Sequence, residues 1–238
     1  MSDERARVIR DNVIMRKEKN SKKRLFGENN KAFVSGRIES ELEFSHEIMW
    51  EKFYETRVRV NRFDDKEDFV PVVVSELLLR EKNKLAGKLV EVAGQFRSHN
   101  KCGEDGCQHK EMFLFATEIN ICEDEDELEE STNCNSVYLD GYICSTPEYK
   151  KKLSGKEITE LLLAVDRRQY GKSDYISCVT WGRMAYWAKF LKVGERIRIY
   201  GRIHSREYFK KLEDVGKVEV RVAYEVSVNK IQKVDELS

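Results

Sequence analysis

Apolar and polar residues alternate along much of the chain with a period of two, which is typical of half-buried β-strands. In the second half this alternation predicts five strands, over 137–143, 157–165, 175–181, 196–203 and 218–228. Between the third and fourth of them the spacing becomes helical over 183–192, with Gly194 placed to end the helix. The order is therefore three strands, a helix and two strands.

The first half repeats this order with drift, because the run 31–121 is echoed by 136–231 at an offset of about 105 to 107 residues. Two glycines mark the match, since Gly87 and Gly94 correspond to Gly194 and Gly201. The counterpart of the helix is a shorter segment at 75–80. The chain therefore reads as two copies of one domain, and 238 residues suit two domains of about 100 residues each.

This element order is that of the oligonucleotide-binding (OB) fold, a five-stranded Greek-key barrel. We therefore predict an all-β chain with short helices, built from two tandem five-stranded Greek-key OB-fold barrels. The predicted organisation is a basic N-terminal arm at 1–30, a divergent OB-fold 1 at 31–122, an acidic linker at 123–135 and OB-fold 2 at 136–233.

Composition is that of a globular protein, with 40% hydrophobic and 36% charged residues. No run approaches the roughly 20 apolar residues that span a bilayer, and Met1–Arg10 lacks the apolar core of a secretory signal. The six cysteines are scattered over both copies, which favours reduced thiols over a disulfide framework. We therefore expect a cytoplasmic protein.

Charge is segregated along the chain although the net charge is zero. The four predicted segments carry balances of +4, −3, −7 and +6 in chain order. The second copy is therefore the basic one, as binding to a polyanion requires. The acidic tract at 123–130 is self-repelling and predicts an extended hinge, while its alternative interpretation is a mimic of a nucleic-acid backbone.

Motifs of enzymes are missing from the sequence: it has no glycine-rich phosphate loop, no Gly-x-Ser-x-Gly elbow and no HExxH helix. Its acidic residues do not cluster as a two-metal nuclease requires. We therefore predict a binding module that is not an enzyme and uses no cofactor.

Five pieces of the second copy form an ordered set: 135–143, 146–148, 163–167, 174–185 and 194–203. In their order and spacings they resemble the bacterial single-stranded DNA-binding protein family. Copy one is similar more weakly, through 33–37, 57–62, 68–74 and the glycines at 87 and 94. The resemblance implies sequence-independent binding of single-stranded DNA in replication, recombination or repair.

Aromatic residues of the second copy supply the stacking surfaces that such binding needs. Tyr175 and Trp181 lie six apart on one strand and so share a face, while Tyr170 and Tyr208 lie in flanking hairpins. The resemblance implies that the aromatic residues at 175, 181 and 208 stack on bases. The cations predicted to contact phosphate in this copy are Arg167, Arg168, Lys172, Arg183, Arg202, Arg206 and Lys210, each of which has a solvated surface charge as its alternative.

Copy one departs from the pattern, because Ser75 stands where the second copy has Trp181 and Lys101 lies near the position of Tyr208. Phe69 is its remaining stacking candidate. Its phosphate candidates are Arg37, Arg62 and Arg97. We therefore expect copy one to bind DNA more weakly than copy two. The hypothesis is that copy one has a structural or dimer-forming role.

Other aromatic residues are interpreted as packing groups. Trp50, Phe53 and Tyr54 are predicted to pack in the core or a loop, and Tyr186 and Trp187 in the core or an interface.

One constellation has metal-ligand residue types, His99, Cys102, Cys107 and His109 in the hairpin of copy one. Its spacing is compressed, and Gly103 and Gly106 are typical of a β-turn. A plain loop is the favoured interpretation and zinc the alternative.

The expected partner is single-stranded DNA, with a homodimer giving four OB folds, as the family commonly reaches four barrels. The alternatives are a scaffold or primosome-type protein acting through protein contacts, and an RNA-binding protein. The family's acidic, hydrophobic tip does not appear in 233–238, which puts recruitment of replication or repair proteins in doubt.

Overall fold

A computed structural model describes residues 29–62, 66–79, 85–102, 108–122, 135–152, 155–167, 171–211 and 218–234. These residues form twelve strands. Side chains are described for these residues except 101, 102, 108, 109, 209–211 and 218–220. The predicted arm at 1–28 and most of the predicted linker, 123–134, lie outside the described residues. No helix of the described ranges is long and apolar enough to cross a membrane.

The first barrel, barrel one, is built from six strands and a single turn of 3-10 helix, Glu76–Leu78. Its strands are β1 (Asn30–Ile38), β2 (Glu43–Ile48), β3 (Glu51–Asn61), β4 (Glu67–Ser75), β5 (Leu89–Cys102) and β6 (Gln108–Ile121). Five of these strands close on themselves in the order β1-β3-β4-β6-β5-β1, with β4 and β6 parallel. The sixth, β2, extends the edge of β3 as a hairpin.

The second barrel, barrel two, repeats the arrangement. Its elements are β7 (Asn135–Ile143), β8 (Glu148–Lys151), β9 (Glu157–Arg167), β10 (Lys172–Trp181), helix α1 (Gly182–Ala188), β11 (Arg196–Lys211) and β12 (Val218–Lys233). The barrel closes through β7–β9 pairing and the parallel β10–β12 pair. The helix is shorter than the predicted span, and among the described residues of barrel one the 3-10 turn occupies its place.

Each barrel interior is filled by inward-facing residues at matched positions. Val90, Val92 and Phe96 on β5 are fully buried, as are Ile197, Ile199 and Ile203 on β11. These positions differ by 107 in number, so the repeat seen in the sequence is a repeat of core layers. Burying such side chains contributes roughly 1.5 to 3 kcal/mol each, which explains why the alternation persists where surface residues have drifted.

The two barrels share one continuous sheet, because β1 pairs antiparallel with β7. Asn30 stands opposite Leu139, and Val34, the counterpart of Leu139, stands opposite Asn135. The register is therefore symmetric about a pseudo-twofold axis. The sequence predicted two domains but not this junction.

Two asparagines support the junction in the same way on both sides. The Asn30 side-chain amide donates to Phe96 O at 2.8 Å, and Phe96 N donates to Asn30 Oδ1 at 2.9 Å. Asn135 makes the same pair of bonds to Ile203, at 2.7 and 2.8 Å. Each strand start is thus tied to the long strand of its own barrel, which keeps β1 and β7 in register for pairing.

Candidate nucleic-acid interface

Strand β10 presents two aromatic rings to solvent. Tyr175 is 48% exposed and Trp181 is 41% exposed, while Ile176 and Cys178 between them point into the core. Opposite Tyr175 on β9 stands Ala164, which is too small to cover the ring. The predicted platforms therefore lie at the surface with their faces accessible, as base stacking requires.

Cations flank these rings. Lys172 begins β10 and Arg183 follows Trp181, and both are exposed. Lys152, which the sequence analysis did not select, places its Nζ 5.9 Å from the centroid of the Trp181 ring. A stacked base at Trp181 would thus have positive charge beside it for its phosphate.

Strand β11 carries Tyr208 and Arg206 across the boundary between the barrels. The Ser205 hydroxyl of this strand accepts a hydrogen bond of 3.0 Å from the Phe69 backbone N–H on β4. Tyr208 is 37% exposed three residues further on, and Arg206 is exposed with Glu225 at 3.8 Å. The structure therefore brings the hairpin of barrel two to Phe69 of barrel one, a pairing across the barrels that the sequence analysis did not anticipate.

The converse contact occurs at Tyr175. Its backbone N–H donates to the Ser98 hydroxyl of barrel one at 2.8 Å. Ser98 and Ser205 are counterparts, and so are Tyr175 and Phe69. Each barrel thus holds the aromatic platform of the other by one serine, and the two platforms are related by the pseudo-twofold axis.

A buried aspartate precedes each platform. Asp174 is 1% exposed and accepts a 2.7 Å bond from Ser98 N. Arg167 pairs with it, with Nε to Oδ2 at 2.8 Å, and also donates to Ser98 O at 2.8 Å. The hydrogen bond to Asp174 raises the pKa of Arg167. Arg167 is therefore engaged in joining the barrels.

Asp68 plays the matching part before Phe69 and is also 1% exposed. It accepts from Arg202, lies 2.9 Å from His204 Nδ1 and accepts from Ser205 N at 3.2 Å. Burial alone would raise the pKa of Asp68, but the His204 bond, the Arg202 charge and the Ser205 N–H outweigh it and hold that pKa below its ordinary value of 3.8.

The other predicted cations are placed as follows. Arg62 lies 3.9 Å from Asp68, so it belongs to the same network as Arg202. Arg37 donates to Gly87 O at 3.2 Å, and Arg97 donates to Gln95 and lies 4.0 Å above the Phe115 ring. Arg168 and Tyr170 lie outside the described residues, as does the side chain of Lys210.

The predicted metal constellation falls mostly on residues that the structure does not describe. The side chains of Cys102, Cys107 and His109 are outside the described set. His99 is half-exposed and lies 3.3 Å from Glu111. Among the described residues no group of three or more His, Cys, Asp or Glu could hold a metal ion.

The packing prediction for Trp50 is corrected by exposure. Trp50 is 90% exposed at the β2–β3 turn, because a two-residue turn places it beyond the end of the sheet. Tyr186 and Trp187 are 52% and 43% exposed on α1, because Ala185 and Ala188 form the face that packs on the core; their packing in an interface stays a prediction. Phe53 is buried and Tyr54 packs against the core, as predicted.

A family model, the Single-strand binding protein family, matches residues 134–234. Barrel two is therefore similar to proteins of this family. This is the segment of β7–β12 that carries Tyr175 and Trp181. The resemblance inferred from the sequence motifs is thereby confirmed over barrel two.

Two curated proteins are each similar to about a third of the chain. "Single-stranded DNA-binding protein 2" of Streptococcus agalactiae is 34% identical over 82 residues, which are 32% of this chain and 63% of that protein. The single-stranded DNA-binding protein of Fusobacterium nucleatum is 32% identical over 82 residues, 31% of this chain and 53% of that protein. The chain spans less than two thirds of the length of these relatives.

The fold of the whole described chain has a solved counterpart. The single-stranded DNA binding protein from Thermus aquaticus superposes with a TM-score of 0.67 at 18% identity, covering 87% of this chain and 93% of that one. A deletion mutant of the same protein gives a TM-score of 0.65 at 17% identity. The likeness extends over both barrels and confirms the predicted tandem OB fold.

Sequence reasoning missed the residues that join the barrels, namely Ser98, Ser205, Asp68 and Asp174. A signal for them was present, since Asp68-Phe69 and Asp174-Tyr175 are the same dipeptide type at matched positions of the repeat. A carboxylate in an otherwise apolar strand indicates a buried partner.

Proposed function

We propose that this chain binds single-stranded DNA without reading its sequence. The observation that carries the proposal is the exposure of Tyr175 and Trp181 on one face of β10, with Lys152, Lys172 and Arg183 around them. Every base has a flat face, so exposed rings interleaved with cations bind a single strand regardless of its sequence. The similarity of barrel two to the single-strand binding protein family supports the same conclusion.

The proposed path has two halves. The first follows β10 from Trp181 to Tyr175, and the second lies around Phe69, where the hairpin strand of barrel two with Arg206 and Tyr208 meets barrel one. The pseudo-twofold axis between Tyr175 and Phe69 makes the two halves equivalent in position. Their chemistry differs, because Ser75 replaces the second platform in barrel one and is buried.

The cations divide into two groups in this proposal. Lys152, Lys172, Arg183 and Arg206 contact phosphate, since their charged ends are exposed near the rings. Arg62, Arg167 and Arg202 chiefly hold the buried aspartates, so their contribution to DNA binding is indirect. The phosphate track is therefore shorter than the set that the sequence suggested.

We further propose that the protein acts as a non-enzymatic binding protein of the cytoplasm, in replication, recombination or repair. Two chains forming a homodimer would bring four barrels together. RNA remains the competing ligand, because stacking does not distinguish ribose from deoxyribose.

The test is a titration of intrinsic fluorescence with oligo-dT of increasing length at low salt. Quenching and tight binding are expected, and Tyr175→Ala and Trp181→Ala should each weaken the affinity by about 1 to 3 kcal/mol. Tyr200→Ala is the matched control, since Tyr200 is 42% exposed on β11, where it pairs with Tyr138 and Lys230 and not with β9 or β10. Equal loss in the control, or absence of binding to dT, would contradict the proposal, and tighter binding to oligo-U would assign the RNA alternative.

A further inference from the structure

The tip of the β2–β3 hairpin is both strained and apolar. Met49 and Trp50 form a two-residue turn with φ angles of +50° and +68°. Such turns usually hold Asn-Gly, because positive φ is unfavourable for large side chains. Met49 is 92% exposed and Trp50 90% exposed. Backbone strain and exposed apolar side chains at the same turn indicate a site that binds another molecule.

The charge around this tip argues against DNA as its ligand. Between residues 39 and 55 there are six glutamates and a single lysine, Lys52. A polyanion would be repelled from this surface. We name the set Phe44, Ile48, Met49 and Trp50 the hairpin tip; its exposed fractions run from 54% to 92%.

Barrel two carries a second apolar surface with the opposite charge. The helix patch consists of Tyr186, Trp187, Phe190 and Val193, which are 43% to 63% exposed on and after α1. From 182 to 193 the chain has three basic residues, Arg183, Lys189 and Lys192, and no acidic one. The Lys189 ammonium lies 3.7 Å from the Tyr186 ring centroid and 4.8 Å from that of Tyr149. A cation is thus fixed in the middle of the aromatic surface.

We propose that the hairpin tip of one chain docks on the helix patch of a second copy of the same chain. The two surfaces are complementary, since both are apolar and aromatic while one is ringed by glutamates and the other by lysines and arginine. Each is exposed within its own chain, so each is available to a neighbour. In a twofold dimer both tips are engaged, because each chain offers one tip and one patch.

This proposal rests on the homodimer of the proposed function, for which it names the contact, and it is tested without DNA. The measurement is the molar mass of the full chain across a concentration series by light scattering and sedimentation, with twice the 28.0 kDa chain mass expected for the wild type. Met49→Asn/Trp50→Gly removes the apolar tip and installs the residues that the turn prefers, so the fold is preserved or stabilised. We expect it to raise the dimer dissociation constant by about 30-fold or more, as truncation of central aromatic residues does.

The helix patch is tested by Tyr186→Gln/Trp187→Gln, which retains helix-forming residues. The decisive experiment mixes the two variants, each monomeric alone. The intact hairpin tip of the Tyr186→Gln/Trp187→Gln chain can dock on the intact helix patch of the Met49→Asn/Trp50→Gly chain. A one-to-one dimer of the two variants should therefore form. Ile121→Ser is the control, since Ile121 is 44% exposed on β6 outside both surfaces.

Charge reversal gives an independent check. Glu47→Lys and Lys192→Glu should each weaken dimerisation, and the chain carrying both should recover it. The proposal is overturned if the wild type stays monomeric at about 100 µM, well above the micromolar range of modest interfaces. It is overturned equally if Met49→Asn/Trp50→Gly dimerises like the wild type, or if the mixture stays monomeric.

Discussion

Asp68 of barrel one and His204 of barrel two lie 2.9 Å apart, carboxylate oxygen to Nδ1, across the boundary between the barrels. Arg202 and the Ser205 N–H also bind this buried carboxylate, and Arg62 lies 3.9 Å from it. The network connects β4 to β11 at the point where Phe69 meets the hairpin strand of Tyr208. The geometry of the proposed DNA path therefore depends on a buried charge.

Acid should weaken this connection. The pKa of Asp68 is lowered in the folded protein, so the unfolded chain takes up a proton first as pH falls through 3.8. The stability from this group is fully present above that value and is lost as pH falls towards the lower native pKa. Asp68→Asn should therefore cost roughly 3 kcal/mol of unfolding free energy at pH 7, and the difference from wild type should shrink below pH 3.8.

Urea unfolding at several pH values measures this difference. Asp166→Asn is the control, because Asp166 is exposed and accepts a bond only from Ser173 on its own sheet among the contacts described for its carboxylate. A difference between wild type and Asp68→Asn that stays constant down to pH 2 would show that the carboxylate charge is not the source of the stability.

Lys172 and Arg167 are close together in the sequence but should contribute differently to DNA affinity and to stability. Lys172→Ala should lower the slope of log affinity for dT against log salt by about 0.7 while leaving stability within about 0.5 kcal/mol. Arg167→Ala should instead cost roughly 3 kcal/mol of stability, because it leaves Asp174 buried without its charged partner. Salt-dependent titration and urea unfolding of both variants separate the roles, and the reverse outcome would reassign them.

Phe69 should matter less than Trp181 for DNA affinity. It is only partly exposed, it stands beside Arg59 on β3, and Arg59 is paired with Glu67 at 3.1 Å. Phe69→Ala is expected to lose under half of the binding free energy that Trp181→Ala loses, measured with dT oligomers under one buffer. No loss would support a purely structural role for barrel one, whereas a loss equal to that of Trp181→Ala would reject the difference between the barrels.

Gly94 should tolerate no side chain. It lies at a bulge of β5, and an added Cβ would come within 2.0 Å of Phe115 O on β6. Gly94→Ala should therefore destabilise the protein by about 2 kcal/mol or more. Gly87→Ala is the matched comparison, since nothing lies within 4 Å there and only its φ of +80° opposes a side chain, which costs about 1 to 2 kcal/mol. Thermal unfolding compares the two, and equal losses would contradict the steric argument.

The fold could be predicted from the sequence because it follows from local patterns of apolar and polar residues. Alternation with a period of two places Val90 and Ile197 at matched core positions, and the matched glycines mark the turns and bulges that both barrels need. The hairpin strands β2 and β8 were missed, since short exposed strands such as Glu43–Ile48 have little apolar periodicity.

The proposed platforms Tyr175 and Trp181 were also recognised from the sequence, since side chains six apart on a strand share a face whatever the strand packs against. Which cations are available was not predictable. Arg167 and Lys172 look alike in the sequence, yet one is held by a buried carboxylate and the other is exposed.

By itself the sequence determined the two barrels, their strand order and the aromatic face of β10, because these follow from local periodicity and from residue type. Only the tertiary structure decided that β1 pairs with β7, that Ser98 and Ser205 each support the platform of the other barrel, and that two buried aspartates engage the arginines between them. The two serine contacts join residues 77 and 136 positions apart, and the Asp68–Arg202 pair joins residues 134 positions apart. Such pairing depends on how complete barrels meet rather than on any pattern within a strand.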